Sequence, residues 1–173
     1  MSNIVQKIDK MVIRSAELSA CRRYRYSLMR QWSSKPGCLF IGLNPSTADE
    51  LTDDPTIRRC IGFAHDWGYG KLVMANLFAF RSTDPTLLLR IKDDPVGPEN
   101  DKHLLSLAAD AIIIIAWGAN GACTYRSGHV LNLLEGAGSK IYCLGKTKHG
   151  HPKHPLYLPK TTKPVLFNGE ESE

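Results

Sequence analysis

The sequence has no C-x-x-C pair, and its five cysteines, Cys21, Cys38, Cys60, Cys123 and Cys143, are scattered and odd in number. That spacing argues against a thiolate zinc site or a dithiol redox centre and predicts reduced thiols that mostly pack. No apolar run approaches the roughly 20 residues of a membrane-spanning helix; the longest covers residues 111–117. Neither G-x-x-x-x-G-K-[ST] nor G-x-G-x-x-G occurs, which argues against phosphate cradles of the P-loop and dinucleotide types. With no leader pattern at its start, no internal repeat and no low-complexity tract, the chain is expected to be cytoplasmic and free of the membrane. No cofactor or metal is expected.

What is present suits a chain that closes a real core: 173 residues, 43% hydrophobic and 23% charged, enough for one domain. The expected division is a loose N-terminus over residues 1–10, one α/β domain over 11–167 and a frayed tail over 168–173. A monomer is expected. The net charge of +5 is compatible with a polyanionic partner such as DNA, because clustered Lys and Arg gain from counterion release. A basic balance alone does not select nucleic acid.

Residues 11–32 interleave basic and aromatic side chains, with Arg22, Arg23, Tyr24, Arg25, Tyr26 and Arg30, and predict a β-ribbon. Two readings of it stand side by side: a solvated edge ribbon whose tyrosines pack inward, and a surface that contacts phosphates. Residues 38–43 form a continuous apolar run after Pro36-Gly37, the pattern of a strand buried on both faces. The polar loop Asn44-Pro45-Ser46-Thr47-Ala48-Asp49 comes next. Asp54 and Pro55 then supply an N-cap and a first helical residue, Ile57, Ile61, Ala64 and Trp67 form an apolar stripe, and Gly68 ends the helix. Further buried strands are predicted at 72–77, 111–117 and 140–144, with helices near 98–109 and 128–134. Strands alternating with helices imply a three-layer αβα domain around a mostly four-stranded parallel sheet, with the ribbon added at its N-terminal side. Ligands of such sheets bind beyond the carboxyl ends of the strands. Here those ends carry residues 44–49, 76–84, 118–121 and 145–154.

These four segments resemble, in order and style, those of the uracil-DNA glycosylase superfamily. Gly42-Leu43-Asn44-Pro45-Ser46 resembles its first motif, a Gly-x-Asn/Asp-Pro loop. The strand ending in Asn76 resembles the one whose asparagine reads the base edge, residues 112–118 resemble its apolar strand ending in Trp-Gly or Leu-Gly, and His154-Pro155-Leu156-Tyr157 resembles its His-Pro loop. More closely still, Tyr24-Arg25-Tyr26, residues 42–49, Gly97-Pro98-x-Asn100 and Leu144-Gly-x-Thr147 resemble the family called domain of unknown function 1643, over about residues 16–159. Any one motif is short; four in order after four strands are moderately specific.

The resemblance implies an enzyme that breaks an N-glycosidic bond, where negative charge grows on the departing base and positive charge on the sugar. His154 would donate a hydrogen bond to the base oxygen as it becomes anionic. Asn76 would read a pyrimidine edge by donating and accepting at once, with Leu43 and Phe78 against the ring. Asn44 would hold the attacking water, but an amide cannot take its proton. Relatives that carry Asp in this loop have a general base there, and Asp49 or Asp53 is a candidate substitute. Ser46, Thr47, Arg81, Lys148 and Lys153 would contact DNA phosphates, with Leu156 or Tyr157 wedged where a flipped base has left the stack.

Plainer readings exist for the same residues. Asn44 before a proline caps turns, Asn76 at a strand end satisfies loop backbone, and His149, His151 and His154 make either a metal cluster or a solvated basic loop. Three functions stay open: a DNA glycosylase-like hydrolase acting on a modified or mismatched pyrimidine such as a uracil derivative, a non-catalytic nucleic-acid or nucleobase-binding module, and a hydrolase or transferase of free nucleosides or nucleotides.

Overall fold

Alternate residues of a strand face opposite ways, so a strand apolar at every position needs a layer on each side. Residues 38–42 meet that need. In the computed structural model, which describes residues 12–120 and 124–168, they belong to β3 (Gly37–Gly42), at the middle of a seven-stranded sheet. The other strands are β1 (Ile13–Leu18), β2 (Arg25–Gln31), β4 (Lys71–Asn76), β5 (Ile112–Ile115), β6 (Ile141–Cys143) and β7 (Val165–Leu166). Their order across the sheet is β1-β2-β4-β3-β5-β6-β7.

The sheet is mixed, and larger than the four strands expected. β4, β3, β5 and β6 pair as parallel neighbours. The ribbon β1–β2 is antiparallel and adds itself to β4, also antiparallel, through Leu28 opposite Met74. At the other side β7 runs antiparallel to β6. Two exposed residues carry no periodicity, which is why β7 escapes a sequence reading.

Helix α1 (Pro55–Asp66) starts and stops as its sequence dictates: the Asp54 carboxylate accepts from the Ile57 N–H at 2.9 Å, Pro55 opens the first turn, and Gly68 lies just past the end with φ of 85°. Helix α2 (Asn100–Ala108) lies within the expected span. Helix α3 (Thr124–Gly136) begins upstream of the expected residue 128. Its first turn lacks an apolar stripe and is tied instead by Arg126, whose Nε donates to the Leu77 carbonyl at 2.8 Å and whose Nη2 pairs with Asp101.

Two hydrophobic clusters divide the sheet residues by parity. Leu39, Ile41, Ile113 and Ile115 pack with Leu104 and Ala108 of α2 and with Val130 and Leu134 of α3. Cys38, Phe40, Ile114 and Ala116 pack with Ile57, Cys60, Phe63 and Ala64 of α1. No helix among the described residues is long and apolar enough to cross a membrane. The N-terminal segment 1–10, nearly all of the tail and Gly121 lie outside the described residues.

Candidate functional site

Three parallel strands end side by side, and the segments beyond their ends line one cavity of about 350 Å³. Leu43, Asn44 and Ser46 come from the loop after β3, Asn76 from the last position of β4, and Trp117 and Gly118 from the segment after β5. His154, beyond β6, closes the far side with Tyr157. β2 runs antiparallel to β4, so its first residue, Arg25, meets the same edge. Asp54 lines the cavity from the N-terminus of α1. The arrangement is a crevice at the carboxyl ends of the parallel strands, where open α/β sheets place ligands.

Asn44 has a settled orientation. Its Nδ2 donates to the carbonyls of Pro45 and Ser82 at 3.0 and 2.9 Å, and the flipped amide would set oxygen against both. Its Oδ1 is therefore the atom left to accept, as a water-holding group requires. The plainer turn-capping reading of Asn44 is met by its nitrogen.

Asn76 is fixed from three sides. Its Oδ1 accepts from Arg25 Nη2 at 3.2 Å. Its own carbonyl and that of Leu77 accept from Asn100 Nδ2 at 3.1 and 3.0 Å, and Leu77 receives Arg126 as well. Gly42 makes room for it, since a Cβ there would lie 2.9 Å from Asn76 Nδ2. The Arg25 bond sets the direction of the amide, whose Nδ2 is its donor and whose oxygen keeps one lone pair.

His154 caps the 3-10 turn Pro155–Tyr157, its Nδ1 accepting from the Leu156 N–H at 3.3 Å. Burial pushes its pKa below the ordinary value, against an opposing pull from the Asp54 charge. A neutral ring that accepts at Nδ1 carries its proton on Nε2, which is the donor this side of the cavity can use.

Asp54 and Arg25 are the two formal charges of the lining. Asp54 is buried, with Oδ1 spent on capping α1. Arg25 is 2% exposed; Nη1 donates to the Ala48 carbonyl at 2.9 Å, Nη2 to Asn76, and Nε has no partner among the described residues. Burial lowers its pKa to about 10, with Asp54 opposing, so it stays a cation at neutral pH.

Other expected site residues fall elsewhere. Asp49 holds its own turn: it accepts from the N–H groups of Leu51 and Thr52 and from the Thr52 hydroxyl, and these bonds lower its pKa. It does not line the cavity, and neither does Asp53, which pairs with Arg30 and Arg14. Phe78 is buried in the core beside α2 and α3. Thr47 and Arg81 line an open neighbouring cleft with Arg22, Arg23 and Phe80, joined to the cavity through Ser46, Ser82 and Thr83. Lys148, Lys153 and Leu156 are exposed and line neither, while Tyr157, 85% exposed, is part of the cavity lining. No three His, Cys, Asp or Glu side chains among the described residues gather as metal ligands.

Sequence reasoning did not place Arg25, Asp54, Asn100 or Arg126 in the site. Asp54 is legible there only as a helix cap. Arg25 and Asn100 lie inside the motifs that carry the family resemblance, with no signal that strand β2 is covered on both sides.

Residues 25–156 match the family described as protein of unknown function (DUF1643). No curated protein and no solved structure matches the chain.

Proposed function

The chain belongs to the DUF1643 family, and on that premise we propose that it is a glycosylase-like hydrolase that cleaves the N-glycosidic bond of a modified or mismatched pyrimidine in DNA. The supporting observation is that Asn44, Asn76 and His154, which come from the ends of different strands, line one cavity. Helices packed on both faces of a sheet whose central order is β4-β3-β5-β6 agree with a three-layer arrangement of the uracil-DNA glycosylase type.

In this reading the bond between the sugar carbon and the base nitrogen breaks with its electron pair leaving on the base. His154 Nε2–H and Asn76 Nδ2–H donate to the base oxygens as charge accumulates there. Water held by Asn44 Oδ1 attacks the sugar carbon, and its proton passes to the one carboxylate of the lining, Asp54. Asp54 also places negative charge where the sugar becomes cationic. Asp54 thus takes the part that an amide at position 44 cannot perform and for which Asp49 and Asp53 are misplaced. The cleft with Thr47 and Arg81 would guide the phosphate backbone into the cavity.

The amide at position 44 favours a second reading, a binding module that kept the pocket without hydrolysis. Incubation with labelled oligonucleotides carrying a panel of modified pyrimidines, followed by alkaline cleavage of abasic sites, separates the two. Strand scission at one base supports hydrolysis. Binding without scission at any base selects the module.

A further inference from the structure

Arg25 is a cation that the fold buries and leaves half satisfied. Among the described residues, two of its five N–H groups have protein acceptors and its Nε has none. No ion pair among the described residues includes it. Arg30, on the same strand and equally buried, shows what a structural arginine looks like here: a carboxylate at 2.8 Å and four carbonyl contacts. A buried charge with no carboxylate in contact is costly, and a chain retains one where a ligand completes it.

We propose that the cavity binds an anionic ring, a pyrimidine carrying a carboxylate, with the negative group set against Arg25. The nucleobase half of this rests on the glycosylase-like reading; the charge half rests on Arg25 alone. The donors on this side agree with it. Asn76, its oxygen held by Arg25, presents an N–H, and His154 presents Nε2–H. An anion with coplanar oxygens matches the planar guanidinium. Asp54 is the opposing charge of the lining, so it weakens anion binding and confines the anion to the Arg25 side.

The test is calorimetric titration of the full chain at pH 7.5 with three probes: uracil, uracil-5-carboxylate and benzoate. Uracil-5-carboxylate is expected to bind at least tenfold more tightly than uracil. Arg25→Gln should erase that preference, Arg25→Lys should keep part of it, and circular dichroism would confirm that each variant is folded. Asp54→Asn keeps the Arg25 side chain and removes the opposing carboxylate, and should tighten the carboxylate ligand severalfold, which keeps the proposal testable if the Arg25 variants unfold. Equal affinity for uracil and its carboxylate, a preference that survives Arg25→Gln, or no binding by any probe at millimolar concentration would overturn the proposal. Benzoate matching uracil-5-carboxylate, with uracil unbound, would uphold the anion site and sink the nucleobase reading.

Discussion

Arg25 Nη2 donates to Asn76 Oδ1 at 3.2 Å, and this contact decides what the floor of the cavity offers. It fixes which way the amide points, and it leaves most of the guanidinium without an acceptor among the described residues. Asn76→Asp would set a carboxylate against that guanidinium and neutralise it in place. The expected variant is folded, melts at or above the parent temperature, and binds uracil-5-carboxylate at least tenfold more weakly by calorimetry. Unchanged affinity would mean that the Arg25 charge does not reach the ligand.

Asp54 serves both helix α1 and the cavity, and substitution separates the two roles. Asparagine caps as well as aspartate, so Asp54→Asn should unfold in urea within about 0.5 kcal/mol of the parent, whereas Asp54→Ala loses about 1 kcal/mol with the cap. If the carboxylate takes the proton of the attacking water, Asp54→Asn still lowers the single-turnover rate by roughly 10²-fold. A fully active Asp54→Asn would send that proton elsewhere.

The parallel centre of the sheet was readable because its strands are apolar at nearly every position and end in polar loops, as at Leu39, Phe40 and Ile41 before Asn44. Helix α1 was readable from Asp54, Pro55 and Gly68, whose effects are local. Arg25 and Arg30 were not. A basic residue in a predicted ribbon reads as solvated, whereas these two meet residues distant in sequence, Ala48 for Arg25 and Asp49, Thr52 and Asp53 for Arg30. Asn100 and Arg126 reach back to the carbonyls of residues 76 and 77, a long-range contact with no periodic signature. Phe78, which the resemblance sets against the base, packs into the core instead.

Arg30 and Asp53 form the pair that pins the loop beneath the site. The Arg30 side chain is fully buried, and its Nη2 also holds the carbonyls of Asp49 and Thr52. Asp53→Ala leaves that charge without its carboxylate and should cost about 3–5 kcal/mol in urea unfolding. Asp49→Ala removes only bonds within an exposed turn and should cost about 1 kcal/mol or less. A smaller loss for Asp53 than for Asp49 would show that the loop is anchored by other contacts.

His154 links stability, pH and the proposed chemistry. Its folded pKa lies below the ordinary 6.5 because burial disfavours the charged ring, with Asp54 pulling the other way. The unfolded chain therefore binds the proton more readily. The stability this residue contributes is complete above 6.5 and falls away as pH drops from there through the lower folded value. Melting temperatures measured from pH 7.5 down to about 5 should decline more steeply for the parent than for His154→Gln, whose side chain does not titrate. Asp54→Asn removes the opposing charge, lowers the folded value further and should extend the decline to lower pH. On a substrate found by the oligonucleotide panel, His154→Ala should reduce the single-turnover rate by roughly 10²–10³ and leave DNA affinity nearly intact, since a donor aimed at charge that develops during cleavage contributes little to the ground state. Parallel melting profiles together with full activity of His154→Ala would remove this residue from both roles.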